Sequence, residues 1–224
     1  LEEGRIMSRG FKLSVELGSN FRSEFAKNVT AEISRQIVKK VPRAIEAIKA
    51  KIQQIVIVKI TSSPEYAAIV GSNVRGELGI NEAAARMDAI ISEWASNIVV
   101  TLVPENVGGL ALIKIGIIQS DYADVLDLAE AEMSYVSRRG QKNLEWLRWL
   151  LLEGGSVIVS NYEYSGTRRG NSRTGLGIMV KRRGGWKVPA AIAGIESDNF
   201  VTRALSEIQD NIDIIVRQEL TKVL

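Results

Sequence analysis

The chain has 224 residues, 46% apolar and 25% charged, the balance of a globular protein able to bury a core. Its 29 basic and 26 acidic residues leave a net charge of +3, and it contains neither cysteine nor histidine. Those absences exclude disulfide scaffolds, thiol nucleophiles, Cys- or His-ligated metals, a His general base and a Ser–His–Asp triad. Any catalysis would have to run on carboxylates, Lys, Arg, Tyr, Ser or Thr. No stretch reaches the roughly 18–20 consecutive apolar residues of a membrane-spanning helix, and no membrane partner is expected. The charged start, Leu1 to Arg5, does not read as a signal peptide, and Met7 is a second candidate for the first residue.

After an N-terminal arm over 1–19, the spacing predicts a helix from Asn20 to Gln54. Phe21, Phe25, Val29, Ile33, Ile37 and Val41 recur every four residues and draw one apolar stripe. Ser19 or Asn20 is the expected N-cap. Pro42 is expected to stop or kink the helix near Val41, with a second stretch, Ala44–Gln53, beyond it. A short helix follows around Glu65–Val70, then a turn-rich segment marked by Gly71, Gly76 and Gly79. Asn81–Glu82 opens a further helix with Ala85, Ile90, Ile91 and Trp94 turned inward. Ser96–Pro104 and Leu110–Gln119 read as a β-hairpin around Asn106–Gly109.

Tyr122–Val136 reads as a helix, with Asp121, Asp124, Asp127 and Glu130 roughly along one face. Such a row is better explained by a solvated face near a helix N-terminus than by a metal site, because it does not surround an ion. Asn143–Glu153 is expected to form an aromatic helix closed by Gly154–Gly155 in the left-handed conformation. Val157–Tyr164 and Leu176–Arg182 are the next strand pair. Asp198–Leu224 reads as a helix capped by Asp198, with Phe200, Leu205, Ile208, Ile212, Ile215 and Leu220 on its apolar side. The predicted fold is a single α+β domain: a helical part over 20–95, then a small, mainly antiparallel sheet, an extended basic hairpin and the C-terminal helix over 96–224.

Charge is unevenly placed. Between Tyr164 and Ile195 lie Arg168, Arg169, Arg173, Lys181, Arg182, Arg183 and Lys187, and no acid. The rest of the chain holds 22 basic and 26 acidic residues. An Arg-rich hairpin on a slightly acidic body suits contact with phosphates, or with the acids of a neighbouring subunit. No helix-turn-helix and no aromatic strand for base stacking is evident. The glycine clusters lack the order of a phosphate loop or a dinucleotide fingerprint, so no cofactor is expected. Tyr162, Glu163 and Tyr164 are the one clustered set of acid/base groups, and strand alternation points Glu163 away from both tyrosines. No catalytic or metal-binding residue is assigned.

The last third carries Leu144-Glu-Trp-Leu-Arg-Trp-Leu-Leu-Leu-Glu-Gly154, Ser172-Arg-Thr-Gly-Leu-Gly-Ile-Met-Val180, Trp186-Lys-Val-Pro189 and Asp198-Asn-Phe-Val-Thr-Arg-Ala-Leu205. This series resembles neck proteins of tailed bacteriophages, in particular the tail-completion family that includes minor tail protein Z. The Ile69–Ile80 segment, Glu153–Gly154, and Asn199–Phe200 with Ala204–Leu205 stand in the family's order. An additional Asn81–Trp94 helix and the long Arg-rich hairpin depart from its shorter members.

The resemblance implies a non-enzymatic virion protein, made in the host cytoplasm and placed at the head–tail interface. It would form a homo-oligomeric ring, usually a hexamer, as a tail-completion, tail-terminator or connector layer. Its expected partners are further copies of itself, a portal-side connector, the tail tube or sheath, and packaged double-stranded DNA met through phosphates. Trp186, Val188 and Pro189 are candidates for a subunit contact, although a core position suits Trp186 better. A small, non-sequence-specific DNA-binding module with an oligomerising body is the alternative.

Overall fold

In the computed structural model the described residues are 21–71, 73–103, 112–117, 122–137, 140–168, 170, 172 and 174–223. Helix α1 runs unbroken from Phe21 to Thr61, 41 residues with Pro42 inside it. At 1.5 Å per residue it is about 60 Å long. The expected stop at Pro42 does not occur. An interior proline costs about 3 kcal/mol, but Pro42 faces solvent while Val41, Ile48, Ile52, Val56 and Ile60 are buried on the other side. At roughly 1.5–3 kcal/mol for each large aliphatic side chain removed from water, packing outweighs the proline.

Helices α2 (Pro64–Gly71), α3 (Asn73–Leu78) and α4 (Ala83–Ser96) follow. The segment expected to be turn-rich contains a helix, with Gly76 buried inside it and Gly79 making the turn at φ 69°. Met87, Ile90, Ile91 and Trp94 of α4 point into the core, whereas Ala85 is exposed. Strands β1 (Val99–Val103) and β2 (Leu112–Gly116) pair antiparallel, and the predicted connecting loop lies outside the described residues.

The predicted Tyr122–Val136 helix is replaced by α5 (Ala123–Leu126), a 3₁₀ turn (Ala129–Ala131) and strand β3 (Met133–Ser137). Tertiary hydrogen bonds explain the change. Arg86 on α4 donates to the carbonyls of Ala129, Glu130 and Glu132 at 3.2, 3.2 and 2.9 Å. Trp146 Nε1 donates to Glu130 O at 3.0 Å. Carbonyls held in this way are withdrawn from a helical ladder, so context overrides propensity. The carboxylate row therefore never forms one helix face.

Strand β4 (Gly140–Leu144) pairs antiparallel with β3. It takes the first residues of the predicted aromatic helix, Asn143 facing Ser134 at 3.0 Å. Helix α6 is consequently shorter, Trp146–Leu151, with Trp146, Leu147, Leu150 and Leu151 buried and Trp149 half-buried. Gly154 closes it for a different reason from the one expected, since its φ is not positive. Gly154 N donates to Gly194 O at 3.0 Å, and a Cβ on Gly154 would stand 2.5 Å from Gly194 N. The two backbones approach too closely for a side chain.

Strands β5 (Val159–Ser165) and β6 (Ile178–Trp186) form the third antiparallel pair. The strand content among the described residues is thus three two-stranded units rather than one sheet. The last predicted helix is two: α7 (Phe200–Ala204) and α8 (Ile208–Val223). Asn199, not Asp198, caps α7, its Oδ1 accepting from Val201 N and Thr202 N at 3.1 Å each. Asp198 instead pairs with Arg203 at 2.9 Å. The Ser206 hydroxyl donates to Arg203 O at 2.9 Å, offering the chain an alternative to helical continuation.

One core gathers α1, α4, α6, α7 and α8. Trp94 lies at its centre, its ring centroid 6.0 Å from Phe200 and 6.4 Å from Tyr122. The architecture is α+β, with long terminal helices packed along each other.

Candidate functional site

The β5–β6 hairpin is placed by its contact with α3. Tyr164, on β5, is held between Gly76 of α3 and Gly177 just before β6. A Cβ on Gly76 would meet Tyr164 Oη and come within 2.9 Å of Leu176 Cβ, and one on Gly177 would stand 2.6 Å from the Tyr164 ring. Glycine at both positions lets the helix and the hairpin close on the ring. Burial pushes the Glu77 carboxyl of α3 above its ordinary value, and the neighbouring Trp186 indole, at the end of β6, opposes that shift.

Register then decides which side chains share a face. Tyr162 opposes Lys181 and Tyr164 opposes Met179, while Glu163 opposes Val180. Arg182 shares the Glu163 side and donates to it at 3.0 Å. Near the end of the hairpin the pairing slips: Ser160 meets Gly185 but Tyr162 meets Lys181. Asn161, at φ 61°, thus faces Arg182–Gly184, and this bulge displays both arginines to solvent.

Arg168, Lys181, Arg183 and Lys187 are exposed. Arg169 and Arg173 lie outside the described residues. Arg182 is exposed as well, but Glu163, one residue before the acid-free window, offsets its charge. Trp186 and Val188 are 8% and 4% exposed and Pro189 is half-buried, so the tryptophan is a core residue and the three present no open contact surface. Tyr162 and Glu163 lie on opposite faces, and Glu163 is engaged by Arg182. Among the described residues no group of three or more acids is placed to hold a metal ion, and no helix is long and apolar enough to cross a membrane.

A second cationic surface was not legible from the acid-free window. Lys39, Lys40 and Arg43 of α1 and Lys222 of α8 line an open groove with Gln36 and Val223. Helix α1 carries nine basic and three acidic residues. Interspersed Glu24, Glu32 and Glu46 hide this excess from a search for acid-free runs, although the Lys39-Lys-Val-Pro-Arg43 cluster was visible. The opposite sign is concentrated too: residues 77–132 hold ten acids and two bases.

No family model, curated protein or solved structure matches the chain. The functional reading therefore rests on the residues and their geometry.

Proposed function

We propose that the chain is a non-enzymatic structural protein of the tailed-phage neck, forming a ring at the head–tail interface. The observation that carries this reading is the separation of charge between two parts of the chain. A bulged cationic hairpin projects from a fold whose 77–132 segment has a net charge of −8. Head-to-tail contact between unlike surfaces closes into rings, with the hairpin reaching the acidic segment of the next copy or DNA phosphates in the lumen. The resemblance of the last third to tail-completion proteins points the same way, and the ring would sit between a portal-side connector and the tail tube or sheath.

Electron microscopy of particles carrying a label on the chain's C-terminus tests this. The expected result is several copies of the label at the head–tail junction. Particles whose tails join normally without the protein would overturn it. The exposed Arg168, Lys181 and Arg183 favour one second reading, a non-sequence-specific DNA-binding module. That reading expects salt-sensitive duplex binding by a chain that never enters the particle.

A further inference from the structure

We infer that the groove between α1 and the last turn of α8 is a separate contact surface for a nucleic-acid phosphodiester backbone. The groove has a volume of about 510 Å³; Lys39, Lys40 and Arg43 supply three positive charges from one wall, and Lys222 on the other is paired with Glu219 at 2.6 Å. Lys39, Lys40 and Arg43 are exposed, and among the described residues none of them is joined to a carboxylate. Their neighbours are otherwise engaged: Arg35 pairs with Glu32 at 2.6 Å and Lys51 with Glu219 at 2.7 Å. The C-terminus of α8 adds a partial charge of roughly −0.5, too small to neutralise the cluster.

The walls are fixed in place. Val41, Ala44 and Ile48 bury the inner side of α1, and Ile212 and Ile215 that of α8. Lys39 and Arg43 are four residues apart, so they advance about 6 Å along the helix. A series of cations along an open groove suits a linear polyanion, which can engage several at once. A small free anion would be better served by a closed cup of buried donors. A membrane surface would call for free apolar side chains beside the cations, and the neighbouring apolar residues of α1, Val41, Ala44 and Ile48, are buried. The inference does not rest on the neck reading and concerns a surface distinct from the hairpin.

The test is fluorescence anisotropy of a labelled duplex of roughly 30 base pairs and mixed sequence, titrated with the full chain at several salt concentrations. Each phosphate contact contributes about 0.9 to the slope of log affinity against log salt. The combined Lys39→Ala, Lys40→Ala, Arg43→Ala variant is expected to lose roughly tenfold or more in affinity at low salt and to flatten the slope by about two to three. Its thermal melt should match the wild type, because all three side chains are exposed. Lys39→Arg with Lys40→Arg should retain binding. A Lys181→Ala, Arg183→Ala hairpin variant reports separately on the other surface. Wild-type affinity and slope in the triple variant would overturn the inference. So would wild-type protein that binds phosphatidylserine vesicles but not the duplex.

Discussion

The side-chain amide of Asn199 donates to the Tyr122 hydroxyl at 2.7 Å, joining segments 77 residues apart inside the core. Asn199 is completely buried, and its amide also reaches the carbonyls of Ile195, Glu196 and Leu151 at 3.1, 3.3 and 3.4 Å. Its oxygen caps α7, while its backbone N–H donates to Thr202 Oγ1 at 2.8 Å. One residue thus ties the start of α5, the end of α6 and the 195–198 turn to the first turn of α7. Only an amide carries both the acceptor for the cap and the donors for those oxygens.

Asn199→Ala removes a helix cap and strands buried polar groups, so it should cost about 3 kcal/mol. Asn199→Asp should cost more, because it keeps the cap but points a buried carboxylate at carbonyl oxygens. Tyr122→Phe is expected to lose about 1 kcal/mol. A double-mutant cycle by urea denaturation should show the Asn199 and Tyr122 effects to be non-additive; additive losses would mean that the 2.7 Å bond carries no stability.

Phe200 is fully buried against Trp94, at the point where α7 meets the core. Phe200→Ala should therefore cost about 3–5 kcal/mol. A variant that melts like the wild type would contradict the central place given to this pair.

Glu219 is a buried carboxylate held by Lys222 at 2.6 Å and Lys51 at 2.7 Å. Hydrogen bonds from these two ammoniums hold its carboxyl below its ordinary value. A depressed carboxyl contributes stability that is fully present above the ordinary carboxylate range and is lost as pH falls through the lowered value. Glu219→Gln should be less stable than wild type at neutral pH, and the difference should narrow as the solution is acidified. Urea midpoints measured from neutral pH into the acid range check both parts.

Glu77 carries the opposite sign. Burial raises its carboxyl, so the folded chain keeps that proton longer than the unfolded chain, and stability falls as pH rises through the raised value. Glu77→Gln removes the charge beside the Trp186 indole. Its thermal midpoint is expected to equal or exceed the wild type's at neutral pH, with the advantage disappearing in acid. A lower midpoint at neutral pH would mean that the ionised carboxylate is needed to seat the hairpin.

Much of the helix and strand order was legible along the chain, because apolar spacing reports directly which side of a segment meets the core. The inner side of α1 at Ile48 and Ile52, the inward Ile90, Ile91 and Trp94 of α4 and the β1–β2 and β5–β6 pairs follow from local pattern. Val29 of the α1 stripe and Ala85, by contrast, are exposed, and Phe21, Phe25, Ile33 and Ile37 lie outside the described side chains. Pairings between distant segments left no such trace. Arg86 turns a predicted helix into a 3₁₀ turn and a strand by binding carbonyls more than 40 residues away. Gly154 and Gly194 are glycine because two backbones meet, and Asn199 displaces Asp198 as cap because its other hydrogen bonds lie in the buried core. At the candidate surfaces, residue type set the amount of positive charge, whereas tertiary structure decided its availability. Glu163 reached Arg182 across the hairpin, and α8 brought Lys222 beside Lys39, Lys40 and Arg43. Charge is a property of each side chain, but its pairing depends on distance, which only the folded chain defines.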